Sequence, residues 1–145
     1  MPRQPIFNSA DEKLVPLFAY GTLRDADTLL LVVKNSDHLV FQPAVLQGWR
    51  AVFWRGRSYP GVIPDPAGSV DGELISGLTA VDWQNLITYE GEAYSLEICR
   101  PSFQGKIHQA WIFMPCHYHD LTTHPWTLDD WQRFHKNSFD IEENS

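Results

Sequence analysis

Cationic residues are scarce in this chain: 11 Lys and Arg stand against 18 Asp and Glu, a formal net charge of −7. Nucleic-acid backbones are held by clustered Lys and Arg, and those here are scattered, so DNA and RNA are not expected as partners. Cysteine is scarcer still. The two present, Cys99 and Cys116, form no Cys-x-x-Cys pair and no disulfide framework; they read as small buried hydrophobes in a reducing compartment. No stretch approaches the roughly 18 to 20 continuous apolar residues that span a bilayer. Met1–Lys13 lacks the basic-then-apolar order of a secretion signal. Internal repeats, low-complexity segments, a P-loop, a dinucleotide glycine pattern and a Ser-His-Asp order are all missing. These absences leave a cytoplasmic protein with neither a membrane nor a nucleic-acid partner as the expectation.

What is present suits one compact domain. The chain has 145 residues, and its six Trp, five Tyr and eight Phe supply large side chains for a core. Residues 1–13 read as a polar lead, 14–139 as a single domain and 140–145 as a tail. Leu14–Tyr20 is a short apolar run ending at Gly21, the pattern of a buried strand. A helix is expected over Asp25–Lys34, with Leu29, Leu30, Val32 and Val33 as its apolar residues. Pro43–Trp54 alternates as a strand, with Gly48 where a bulge or bend fits. Pro60–Pro64 reads as a short edge strand, Asp65–Gly68 as a turn, and Val70–Thr79 as a further strand.

The second half continues the mixture. Asp82–Glu90 reads as a helix with Asp82 as N-cap and Gly91 as its left-handed terminator. Tyr94–Cys99 and Ile107–Met114 read as strands. Thr127 starts a last helix with Leu128, Trp131 and Phe134 on one face, and Asp130 stands where a capping box has Glu. About six strands and three short helices predict an α+β domain on a closed or strongly curved sheet.

Three constellations can carry chemistry. The first is Tyr20-Gly21-Thr22-Leu23-Arg24-Asp25, a buried strand running through glycine into a helix start. Glycine lets a ligand approach the backbone, and successive N–H groups at such a turn form an anion site that needs no basic side chain. The same residues also suit a plain strand-to-helix turn capped by Thr22. The second is Tyr89-Glu90-Gly91. Within the expected helix, Trp83, Leu86, Ile87 and Glu90 fall at i, i+3, i+4 and i+7, so Glu90 shares the apolar face. Burial and the negative helix end both disfavour its charged form and raise its pKa, which suits an acid/base near neutral pH. A helix that frays one residue early leaves Glu90 as a solvated acid instead. Glu92 reads as an ordinary solvated residue.

The third is Cys116-His117-Tyr118-His119-Asp120 with His124. His117 and His119 would share a strand face and, with His124 or a carboxylate, could hold a metal; no His-x-x-x-His helix or Cys-x-x-Cys pair supports that use. The aromatic residues Trp49, Phe53, Trp54 and Tyr59 could line a pocket, but without basic residues between them they fit core packing better.

Taken in order, these segments resemble the γ-glutamylcyclotransferase-like family, and most closely its branch named for plant avirulence-induced proteins. Phe18–Arg24 is similar to the family's first strand and its Tyr-Gly-Ser/Thr-Leu loop. Ala44–Arg50 followed by Gly56–Pro60 is similar to the branch's second block, and Val70–Leu74 to its V-x-G-x-L strand. Leu86–Gly91 resembles the Leu-x-x-aromatic-Glu segment that carries the family's catalytic acid/base, although Ile87 follows Leu86 where Asp is frequent. Trp126–Trp131 and Phe134–Phe139 resemble the branch's C-terminal helix. The resemblance implies a small mixed β-barrel with flanking short helices. It also implies a small-molecule γ-glutamyl substrate held by Tyr20, Gly21, Thr22, Leu23, Arg24 and Asp25, chiefly through backbone N–H groups, with Glu90 as proton acceptor and no cofactor or metal.

Overall fold

Residues 15–138 are described by the computed structural model, so the 1–13 lead, Leu14, Phe139 and the 140–145 tail lie outside the described residues. The elements run β1 (Leu17–Ala19), α1 (Ala26–Val33), β2 (Val40–Trp54), β3 (Pro60–Ser76), α2 (Ala80–Glu90), β4 (Tyr94–Cys99), β5 (Ser102–Phe103), β6 (Lys106–Ile107), β7 (Ala110–Pro115), β8 (Leu121–Pro125) and α3 (Leu128–Phe134). Short 3-10 turns follow β1, α2, β7 and α3.

The eight strands form one sheet in the order β4-β7-β1-β3-β2-β5-β6, with β8 pairing with β2 off that path. Every ladder is antiparallel except β1 with β7, so the sheet is mixed. It curls into a half-barrel with three α-helices, the α+β architecture expected from the sequence.

Long strands β2 and β3 replace several shorter expected pieces. Their ladder runs from Val40↔Ser76 to Gln47↔Ser69, then resumes from Trp49↔Pro64 to Phe53↔Pro60. Residues 65–68 are therefore pushed out opposite Gly48. Their turn chemistry is real, since Asp65 Oδ1 accepts from Ala67 N at 3.1 Å, but it makes a bulge in β3 instead of ending a strand. The expected Ile107–Met114 strand is also divided. A hairpin of β5 and β6 turns at Gln104 and Gly105, both at positive φ, and the chain pairs again only from Ala110.

Alternation along β1 separates two cores. Leu17 and Ala19 join the core on one face, with Leu29, Val32 and Val33 of α1 and Trp83, Leu86 and Ile87 of α2. Phe18 and Tyr20 join the other, with Leu46, Val62, Val70, Leu74 and Ile112. Both faces of β1 are covered, which is why its sequence is apolar without alternation. Gly72 of β3 allows this close packing: a Cβ there would lie 2.6 Å from both Ala19 O and Phe18 Cζ.

Helix boundaries follow their caps. Asp25 caps α1 by accepting from Thr28 N. Asp82 is not the N-cap of α2 but the third residue of a capping box, in which Thr79 Oγ1 accepts from Asp82 N and Asp82 Oδ2 accepts from Thr79 N. Thr127 caps α3 through Asp130 N. Two expected core positions are on the surface: Phe134 is 70 % exposed and Leu30 is 48 % exposed, while Trp131 on the face expected for α3 is fully buried. In β4, Tyr94 is buried but Ile98 is exposed, so its inward alternation fails near the far end.

Candidate active site

Helix α2 delivers Glu90 to the interior. Trp83, Leu86 and Ile87 are buried on its core face, and Glu90 follows them one turn later. The helix stops there because Gly91 adopts φ 73 and ψ −162, a conformation open to glycine and strained for other residues; its N–H closes the helix onto Ile87 O. The capping box, braced by His38 Nε2 at 2.7 Å from Asp82 Oδ2, fixes the other end. The helix thus runs through Glu90 without fraying early.

The carboxyl lines a narrow, open-mouthed cavity together with Tyr20, Gly21, Thr22, Leu23, Tyr59 and Tyr94. Leu17, Phe18, Ala19, Pro60 and Phe113 complete the wall, which is therefore mostly aromatic and aliphatic. Glu90 has no hydrogen bond or ion pair with any described residue. Burial without compensation raises its pKa from 4.5 to about 8. Its place at the carbonyl end of α2 acts in the same direction.

The glycine turn faces the same space. Thr22–Arg24 form a 3-10 turn closed by Arg24 N to Gly21 O at 3.1 Å and Asp25 N to Thr22 O at 3.0 Å. The amides of Gly21, Thr22 and Leu23 precede those two and have no acceptor inside the turn. Thr22 Oγ1 and Tyr89 OH share a buried hydrogen bond of 2.9 Å. That bond joins the turn to the residue immediately before Glu90, so the two sequence motifs are one physical unit. Tyr20 OH donates to Phe113 O at 2.7 Å. Burial, with the Glu90 carboxyl nearby, raises the Tyr20 pKa well above its ordinary value and keeps the phenol a donor.

Not all of the expected segment meets at this cavity. Tyr20 through Leu23 do. Arg24 is absent from its wall and lines a different cleft. Asp25 is 2 % exposed and committed elsewhere: Oδ2 accepts from Thr28 N and Oγ1, and Oδ1 from Gln132 Nε2 at 2.8 Å and Lys136 Nζ at 2.9 Å. Burial pushes its carboxyl up, but the hydrogen bonds from Lys136, Gln132 and Thr28 outweigh that and hold it below its ordinary value. Asp25 therefore ties the C-terminal segment to the start of α1.

Tyr59 and Tyr94 belong to the cavity although sequence reasoning assigned one to core packing and the other to a strand. Tyr94 OH accepts from Trp54 Nε1 at 2.8 Å and donates to Pro60 O at 2.5 Å. A buried Tyr needs a partner for its hydroxyl, which is the signal available at Tyr94; half-buried Tyr59, close to exposed Arg57, carried none. His117 and His119 stack edge to face with centroids 6.0 Å apart. Among the described residues no three His, Cys, Asp or Glu side chains are grouped to hold a metal, and His124 is exposed on β8.

The fold is a small half-barrel of mixed sheet with three helices, and Glu90 and the Tyr20–Leu23 turn share one cavity wall. Residues 17–133 match the family described as Gamma-glutamyl cyclotransferase, AIG2-like, and the chain belongs to that family. It is 27 % identical over 127 residues to AIG2-like protein A of Arabidopsis thaliana, covering 85 % of this chain and 75 % of that protein. AIG2-like protein B of the same plant is 26 % identical over 136 residues, covering 91 % and 77 %. A solution structure from Arabidopsis thaliana shares the fold at a TM-score of 0.64 and 24 % identity, over 90 % of this chain and 88 % of that one. A structure named Gamma-glutamyl cyclotransferase shares it at a TM-score of 0.56 and 17 % identity, over 71 % and 67 %.

Proposed function

We propose that this chain is a γ-glutamylcyclotransferase that converts a γ-glutamyl amine or peptide to 5-oxoproline and releases the amine, with Glu90 as general acid/base. One observation carries the reading: an unpartnered, partly buried carboxyl in the same cleft as the Tyr20–Leu23 turn. Family membership makes this chemistry the natural one to test.

In the reaction the substrate's α-amine attacks its own γ-carbonyl carbon. A carbon–nitrogen bond forms to close a five-membered lactam, and the bond to the departing amine breaks. An amine protonated at neutral pH has no lone pair to attack with, so a base must remove its proton. Glu90 takes that proton and returns it to the leaving nitrogen. A carboxyl with a pKa of about 8 is matched to both halves of that task. An incoming ammonium group favours the ionised carboxylate and draws the acid toward its basic form.

Because attacking and attacked groups belong to one molecule, the pocket's main work is to hold the chain in its reactive bend. Positioning of this kind contributes about 7 to 11 kcal/mol to lowering a barrier. The amides of Gly21, Thr22 and Leu23 are the donors for the substrate α-carboxylate. Both bonds that change are acyl–nitrogen bonds, so the step balances without an oxidant, a reductant or a cofactor.

The substrate is accordingly a small γ-glutamyl molecule and the setting cytoplasmic. Among the described residues no helix is long and apolar enough to cross a membrane. The test is a screen of γ-glutamyl dipeptides, γ-glutamylamines and glutathione for released 5-oxoproline, wild type beside Glu90→Gln. Silence across the whole panel favours a non-catalytic carboxylate binder of the same fold; equal rates from both proteins remove Glu90 from the reaction.

A further inference from the structure

Residues 126–136 line no part of the Glu90 cavity, yet they hold two parts of its wall from behind. Tyr59 and Pro60 form one part, and Trp126 Nε1 donates to the carbonyl of the residue before them, Ser58, at 2.8 Å. Trp126 N also donates to Ala51 O at 3.0 Å, and the His135 ring meets Phe53 edge to face with centroids 5.6 Å apart. These contacts fasten the segment to β2 and to the β2–β3 connection. Trp126 and Trp131 are both buried, so the anchored side is firmly packed.

The Tyr20–Leu23 turn forms the other part, and it is closed by Asp25. That residue's N–H donates to Thr22 O, while its carboxylate caps α1 at Thr28. Helix α3 lies beside the turn, and Gln132 Nε2 and Lys136 Nζ donate to Asp25 Oδ1 at 2.8 and 2.9 Å. Both donors reach in from the surface to a carboxylate that is itself buried. Hydrogen bonds to a charged acceptor are stronger than neutral ones, so these two restrain Asp25 and the turn it closes. The two parts of the wall also touch: an added Cβ at Gly21 would lie 3.0 Å from Pro60 Cγ.

We propose that residues 126–136 brace the cavity wall, with Gln132 and Lys136 as positioning residues that hold the Gly21–Leu23 amides ready for a ligand carboxylate. The inference rests on the reading of that turn as the carboxylate site. Neither side chain touches the ligand; each acts through Asp25. Donors already in place lose little freedom when a ligand arrives, so a brace outside the site raises affinity. Glu90 is carried by α2, which none of these hydrogen bonds reaches, so the brace governs binding and leaves the proton transfer alone.

The test titrates the full-length ¹⁵N-labelled protein with 5-oxoproline and measures turnover of the best γ-glutamyl substrate, for wild type, Gln132→Met and Lys136→Met. Met keeps most of the bulk and removes the donor. Each variant should weaken 5-oxoproline and raise KM by about threefold to tenfold, with kcat and its pH midpoint unchanged. Asp27→Asn, which removes only the second, exposed partner of Lys136, should bind as wild type. Hydrogen exchange at the Arg24 and Asp25 amides, whose bonds close the turn, should speed up in both Met variants. A merely structural role would confine faster exchange to the C-terminal segment. Wild-type affinity in both Met variants, tighter binding, a fall in kcat at unchanged KM, or an equal loss in Asp27→Asn overturns the brace alone. Wild-type protein that neither binds 5-oxoproline nor turns over any substrate overturns the ligand reading and the brace with it.

Discussion

Glu90→Gln should stabilise this protein at pH 8.5 and do little at pH 4.5. Gln is close in shape to a protonated Glu but never ionises, so the pair isolates the cost of the buried charge. In the native protein the carboxyl holds its proton up to about pH 8, whereas in the unfolded chain it releases it near 4.5. Between those values the native state binds one more proton than the unfolded state, so wild-type stability falls as pH rises. A rise from 4.5 to about 8, at about 1.4 kcal/mol per pH unit, corresponds to a loss near 5 kcal/mol by pH 8.5. Water drawn into the cleft on ionisation lowers that figure, which is therefore an upper bound. At about 3 to 5 °C per kcal/mol for a chain of this length, the melting temperatures should separate by up to the order of 10 °C. Thermal unfolding of both proteins by circular dichroism at half-unit steps from pH 4.5 to 9 measures it. A gap that stays constant across that range would refute the buried-acid reasoning at its root.

In the proposed reaction the same carboxyl predicts a wild-type kcat/KM that rises with pH, passes its half-maximum near pH 8 and levels off above it, as the Glu90 base forms; a profile already flat from pH 5 counts against it. Gly21→Val should lose binding of γ-glutamyl compounds, since a Cβ there already lies 3.0 Å from Pro60 Cγ and a larger side chain presses on the cavity wall; calorimetry with wild-type affinity would contradict this. Asp25→Ala should cost about 1 to 3 kcal/mol in chemical denaturation, because it removes the cap of α1 at Thr28 and the buried acceptor of Gln132, while Lys136 keeps its pair with Asp27. With its pKa held below the ordinary value, Asp25 stabilises the fold above about pH 4, an advantage lost as pH falls through the folded value and missing in the variant. Tyr94→Phe should cost about 1 to 3 kcal/mol by stranding Trp54 Nε1 and Pro60 O, and a neutral effect would mean water replaces the phenol.

Much of this could be read along the chain because local rules carried it. Apolar spacing placed Glu90 on the core stripe with Trp83, Leu86 and Ile87, and Gly91 ended the helix where a positive φ was required. Glycine after a buried strand marked the turn within Tyr20–Asp25, and the hydroxyl-and-acid pair at Thr127 marked the start of α3, whereas the start of α2 was set at Asp82, three residues past its Thr79 cap. Those features involve neighbours within about one helical turn, and a sequence states such neighbours directly.

Tertiary structure decided the rest. Residues 65–68 carry turn chemistry, yet pairing with β2 on both sides turned them into a bulge inside one long strand. Tyr94 joined the cavity only because β4 brings its ring beside Trp54 and Tyr59, which flank the β2–β3 connection far from it in the chain. Asp25 and Arg24, adjacent in sequence, went to different tasks: one is locked by Gln132 and Lys136 from the opposite end of the domain, the other lines a separate cleft. The chain alone set which residues are apolar, which turns need glycine and which acid lies on a helix's inner face. Which of its polar side chains share one cleft depended on strand register and sheet curl, because these fix long-range distances that no local spacing encodes.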